Sequence, residues 1–258
     1  MSFQGYNRLT VLLSTKLVTK ELHIIQENYL RTLDRIAAAA KASGRSPEMI
    51  RLVVISKAQS VEVIKIAIQA GIKLFGENYP EEAVEKMETL GFPVDLEWHM
   101  VGHVQSRKVD LVAKHFQLLH SLDSLKLARR LDRSCGQEGK KLPVLLEFNI
   151  GGEASKNGWL ANQEKKWPDL LDELVNLRDM PNLSVKGLMC MPPPADLAEI
   201  SRSYFIKTRK LQDFLRTQLP DLQWTELSMG TSADYDIAVE EGATLIRVGT
   251  AILGTRTN

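Results

Sequence analysis

"RLVVISKAQSVEVIKIAIQAGIKLFGEN", residues 51–78, sets a β-branched apolar run, a stretch of helical period and a second apolar run in immediate succession. Residues 51–57 read as a strand, 61–70 as a helix and 73–78 as the next strand, which makes a strand–helix–strand unit. The same rhythm continues to the end of the chain. Further apolar runs begin at Glu97, Leu118, Val144, Val185, Thr225 and Leu245, and residues 81–90, 107–114, 124–138, 163–178, 197–218 and 233–241 between them have helical periodicity. Eight strands joined by seven helices fit seven right-handed crossovers. A closed barrel and a doubly wound open sheet share this local pattern; the strand count favours the barrel, and no GxGxxG follows the first strand to supply the dinucleotide fingerprint of an open sheet.

Outward from this unit, residues 21–42 form a long amphipathic segment with Leu22, Ile25, Tyr29, Leu33, Ile36 and Ala40 on one stripe, stopped by "SGRSP" at 43–47. No linker rich in Pro, Gly or Ser divides the chain, and "MPPPAD" at 191–196 reads as one βα loop. The expectation is α/β: a single-domain (β/α)8 TIM barrel over residues 21–258 with an additional N-terminal helix, after an extension, residues 1–20, of unknown role. The one apolar stripe of that helix is used against the barrel, so a monomer is expected.

The chain has 258 residues, 33 basic against 32 acidic, and a formal net charge of +1, which gives no global field for nucleic acid or an anionic membrane. The arginines at 129, 130 and 133 read as the solvated face of a helix. Cys135 and Cys190 lack disulfide or zinc spacing and fit a reducing cytoplasm. The apolar patch at 11–13 is interrupted well short of a membrane span.

Barrels of this kind gather chemistry at the carboxyl ends of their strands. There stand Lys57, Asn78, His99, Asp123, Asn149, Met189, Ser228 and Arg247. "SMGTS" at 228–232 and "VGTAILG" at 248–254 place small residues and hydroxyls after the last two strands, where backbone NH groups cradle phosphates. Arg247 either points into the barrel, where it needs an acceptor, or outward to Glu240 or Glu241. Lys57 is either a snorkelling strand end or, desolvated and beside a cation, a nucleophilic amine. His99 reads first as a hydrogen-bonded structural histidine, and no histidine spacing points to a metal. A phosphate cradle, a ring-sized gap and a reactive lysine on one face describe a site for an aldehyde that also carries a phosphate, and pyridoxal 5′-phosphate (PLP) fits.

"VVISK", "FGENY", "WHMVGHVQSRK", "GEASKNGW", "GLMCM" and "SMGTSADYDIAVEEGATLIRVGTAILG", in order, resemble the pyridoxal phosphate homeostasis protein family, whose barrel is similar to the amino-terminal domain of alanine racemase. The resemblance implies a cofactor held as a Schiff base by Lys57, with Asn78 beside the ring. It implies phosphate contacts from Ser228, Met229, Gly230, Gly249 and Thr250, Arg247 facing the pyridine nitrogen, and His99 and Met189 near the ring. Pro80, Glu81, Arg107 and Thr231 depart from the family's usual residues, which bears on the loop after "GENY".

The expectation that follows is PLP binding in intracellular PLP homeostasis and amino-acid/keto-acid balance without strong catalysis, with PLP-dependent apo-enzymes as recipients. Alanine-type racemases add a carboxyl-terminal domain whose tyrosine is a second acid/base, and no such segment follows the eighth strand here. The alternative is a weak PLP-dependent amino-acid racemase using Lys57 and one further base, His99 or Tyr79.

Overall fold

The computed structural model describes residues 3–193 and 197–255, with side chains from residue 18 onward. The second half of the 191–196 loop, residues 194–196, therefore lies outside the described residues. The helix α1 (Phe3–Ala42) starts well before residue 21. It ends at Gly44, whose φ of 71° lets the chain turn back so that the Arg45 amide reaches the Ala40 carbonyl at 2.8 Å. Ile25, Ile36, Ala39 and Ala40 are buried, and Leu22, Tyr29 and Leu33 pack beside them. Arg45 extends the attachment by donating to the carbonyls of Val239 and Ala243 at 2.6 and 2.8 Å.

Among the described residues nine parallel strands follow: β1 (Arg51–Ile55), β2 (Leu74–Glu77), β3 (Glu97–Met100), β4 (Leu118–Leu122), β5 (Leu142–Asn149), β6 (Trp159–Leu160), β7 (Leu183–Cys190), β8 (Glu226–Ser228) and β9 (Leu245–Val248). Eight of them close a ring in the order β1-β2-β3-β4-β5-β7-β8-β9. The seam is β9 against β1, with Leu52 opposite Ile246 and Val53 opposite Arg247. The ninth, β6, is a two-residue addition to β5 that periodicity cannot reveal.

The connecting helices are α2 (Val61–Gln69), α3 (Pro80–Thr89), α4 (Val109–His115), α5 (Leu125–Gln137), α6 (Pro168–Leu174), α7 (Ile200–Gln218) and α8 (Tyr235–Glu240); the short α9 (Thr250–Leu253) follows β9. Ser60 and Ser124 cap α2 and α5 by accepting from the Val63 and Leu127 amides, three residues on. The helix expected over 163–178 is broken into short 3-10 turns flanking α6, because Pro168 lacks the amide that would continue the first of them. Among the described residues no helix is long and apolar enough to cross a membrane.

Strand alternation assigns the two faces of the sheet. Leu52, Val54, Leu119, Leu146, Leu188 and Ile246 belong to the large core between sheet and helices. Val53, Leu118, Leu145, Met189 and Leu245, with Ile55 and Leu74, form a separate cluster that fills the barrel. The same parity sends His99, His120, Ser228 and Arg247 inward. Those four are buried, with exposures of 0, 0, 1 and 6%.

Candidate functional site

The turn after β1 is held from behind. The Lys86 ammonium on α3 donates to the Ser56 carbonyl at 2.7 Å, to Glu77 Oε1 at 2.8 Å and to Glu82 Oε1 at 2.6 Å. Ser56 Oγ donates to the same Glu77 oxygen at 2.7 Å, and the Ala58 amide donates to Glu82 Oε1 at 2.7 Å. Burial raises the Glu77 carboxyl above the ordinary carboxylate value, while Lys86 and Ser56 pull it down. Both neighbours of Lys57 are thereby anchored. Lys57 itself is half-buried and lines a cavity of about 360 Å³ at the carboxyl end of the barrel.

Around that cavity Asn78 comes from the end of β2, Met189 from β7 and Arg247 from β9, while Thr231, Ser232, Gly249 and Thr250 bring the loops after β8 and β9 to its rim. Arg247 points inward: its guanidinium donates to Ser228 Oγ at 2.5 Å and to the Cys190 carbonyl at 3.0 Å. The outward partners, Glu240 and Glu241, are instead paired with Arg202 of α7. Burial pushes Arg247 below its ordinary value, opposed by Cys190, Asp234 and Glu147.

Four of the expected site residues are not among those that line this cavity. Ser228 lies beneath Arg247 and accepts from its guanidinium. Met229 belongs to the core outside the barrel. Gly230 turns against α8, where a Cβ would come within 2.5 Å of the Ala238 Cβ. His99 lies deeper on the barrel axis, joined to His120 and Glu97. Asn149, at its strand end, is used in a local turn with Gly152 and Glu153.

The cavity also holds groups that the sequence does not single out: Glu147 on β5, Lys156 beyond it and His103 beyond β3. His103 Nδ1 lies 2.8 Å from Asp123 Oδ2. Burial and the Asp123 charge raise the Glu147 carboxyl, against Arg247, His103 and Lys156. Glu147 is in phase with Leu145 and so faces inward, which is the signal that could have found it. His103 and Asp123 come from different strands and carry no such mark.

As a donor set, a primary amine, a buried guanidinium and two hydroxyl-bearing turns suit a small aldehyde with an anionic phosphate. No carboxylate occupies the position of Arg247 in the barrel floor, so an acidic partner for a ring nitrogen is not supplied from β9. The residues present therefore fit a phosphorylated pyridine aldehyde.

Comparison with known proteins agrees with this chemistry. A family profile described as the alanine racemase N-terminal domain matches residues 25–257. The chain is 38% identical over 235 residues to the pyridoxal phosphate homeostasis protein of Vibrio alginolyticus, covering 90% of this chain and 97% of that one. It is 39% identical over 238 residues to the protein of the same name from Escherichia coli K12, with the same coverage. The structure of PipY from Synechococcus elongatus PCC7942 with PLP bound superposes with a TM-score of 0.74 at 36% identity, covering 85% of this chain and 100% of that one. Alanine racemase of Clostridium difficile 630, at 16% identity and a TM-score of 0.64 over 89% of this chain and 56% of its own, shares the fold.

Proposed function

Because the chain belongs to the pyridoxal phosphate homeostasis protein family, we propose that it binds PLP reversibly in cellular PLP homeostasis, with Lys57 as the covalent attachment point. The observation that carries this reading is the placement of the Lys57 amine and the buried Arg247 guanidinium on one cavity rimmed by the β8 and β9 loops. When bound, the cofactor supplies an aldehyde that condenses reversibly with a primary amine and a ring that withdraws electrons. Lys57 holds the aldehyde end. Thr231, Ser232, Gly249 and Thr250 receive the phosphate, with Gly230 shaping the turn, and Asn78 and Met189 flank the ring.

Arg247 faces the ring nitrogen in this reading. A guanidinium has only donors, so the nitrogen stays an acceptor and the ring a weaker electron sink. Storage and delivery suit that setting better than demanding carbanion chemistry. PLP-dependent apo-enzymes are the natural recipients, and the protein works as a cytoplasmic monomer with the 1–20 extension outside the PLP-binding domain.

The test is spectroscopic. Purified protein with added PLP develops a visible band, borohydride fixes it, and the label maps to the Lys57 peptide; a protein that develops no band overturns the proposal.

A second reading, a weak amino-acid racemase, is favoured by one observation: His103, oriented by Asp123, lines the same cavity as Lys57 and gives it a second proton-transfer group. His99 and Tyr79 do not serve, the first being sealed in the barrel and the second 58% exposed outside this cavity. Steady racemisation that is lost in Lys57→Ala and reduced about 100-fold or more in His103→Gln would establish it.

A further inference from the structure

Beneath Arg247 a line of buried polar side chains continues down the barrel axis. Ser228 Oγ is 2.8 Å from His120 Nδ1, His120 Nε2 is 2.9 Å from His99 Nδ1, and His99 Nε2 is 2.7 Å from Glu97 Oε1. Arg51 donates to the same Glu97 oxygen at 2.9 Å, and the same guanidinium nitrogen lies 3.1 Å from His99 Nε2. The contacts come from β9, β8, β4, β3 and β1 and span the barrel from its mouth to its amino end.

Donor and acceptor chemistry gives this line one direction. Arginine only donates, so Ser228 Oγ accepts from Arg247 and its own proton goes to His120 Nδ1. A neutral His120 then carries its proton on Nε2 and donates to His99 Nδ1. His99 in turn carries its proton on Nε2 and donates to the Glu97 carboxylate. The reverse assignment would set a bare His99 Nε2 against the Glu97 carboxylate at 2.7 Å, closer than the 3.1 Å to the Arg51 donor, and would leave the Ser228 hydroxyl proton with no acceptor in the column. Burial favours the neutral rings: both histidines are held below their ordinary value, His99 against the pull of Glu97 and Glu226, and His120 with the help of His99, Arg247 and Arg51.

We propose that His120 and His99 are positioning residues for Arg247, aligning its guanidinium at the cavity floor through a one-directional hydrogen-bond column anchored on Glu97. In such a column each bond polarises the next, and Arg247 is fixed by an acceptor that is itself committed. The consequence for the cofactor rests on the function proposed above; the column itself does not.

The experiment therefore has two parts. In ¹⁵N-histidine-labelled protein without cofactor, long-range ¹H–¹⁵N spectra at neutral pH are expected to show Nε2–H tautomers for both His120 and His99; an Nδ1–H tautomer at either ring overturns the proposal. With PLP, His120→Leu is expected to bind at least about tenfold more weakly and to shift the visible band, since it leaves the buried Ser228 hydroxyl proton and the His99 Nδ1 lone pair unpaired. His120→Gln, whose amide accepts at one atom and donates at the other, is expected to keep both properties close to the parent.

A folded His120→Leu protein with parental band and affinity overturns the proposal. If His120→Leu does not fold, His120→Gln decides: parental behaviour supports the column and a tenfold loss overturns it. A parent protein that takes up no PLP refutes the functional reading alone, and the tautomers still judge the column.

Discussion

Ala58, next to the site lysine, has a φ of 55°, a conformation that costs an L-residue with a Cβ energy that glycine does not incur. It is kept there by the Glu82 carboxylate on its amide. Ala58→Gly is expected to raise stability by about 0.5–1 kcal/mol, read by urea denaturation. Lys86 presents the opposite case. Its side chain is 5% exposed and that of Glu77 0%, and Glu77 Oε2 has no hydrogen-bond partner among the described residues. Lys86→Met leaves a buried carboxylate uncompensated and should cost about 3–5 kcal/mol, with part of the loss recovered in the double variant Lys86→Met, Glu77→Gln.

At the scale of elements, the strands were legible because a parallel barrel buries short β-branched runs at regular intervals, as residues 51–55 and 245–248 illustrate. Strand β6 was not, since two residues have no period. Nor was the direction of Arg247, because an isolated strand has parity but no reference; the neighbouring strands supply it through Leu245 and Val53. Lys57 and the glycine turns stood out locally, whereas the pairing of His103 with Asp123 depends on which strand ends become neighbours in space. One such meeting is open to test. A Cβ on Gly102, just after β3, would strike the Asn78 carbonyl and lie 2.6 Å from its Cα, and backbone atoms yield little. Gly102→Ala is expected to cost about 1–3 kcal/mol in denaturation and, by displacing Asn78, to weaken PLP binding in a titration.

The whole molecule should register its buried histidines in its response to acid. The ordinary histidine value is 6.5, and His99 and His120 are held below it in the fold. As pH falls through about 6.5 the unfolded chain takes up protons that the folded chain refuses, so stability is full above that value and is lost below it. The slope is about 1.4 kcal/mol per pH unit for each proton. Glu77 and Glu147, raised by burial, act in the reverse sense as pH rises through 4.5. Comparison with His120→Gln isolates the histidine contribution: the parent should lose more stability between pH 7.5 and 5.5 than the variant, and equal losses would contradict the assignment.

The seam between β1 and β9 gives this protein a schedule. Lys57 follows the first strand and Arg247 lies on the last, yet the two strands are hydrogen-bonded neighbours. Contacts between distant parts of a chain form late, and during synthesis the amino-terminal part is made first. A growing polypeptide thus carries Lys57 long before Arg247 and the loops after β8 and β9 have left the ribosome. On the reading proposed above, full recognition of the cofactor begins only when the ring shuts, so the ability to capture PLP also reports that the barrel has closed.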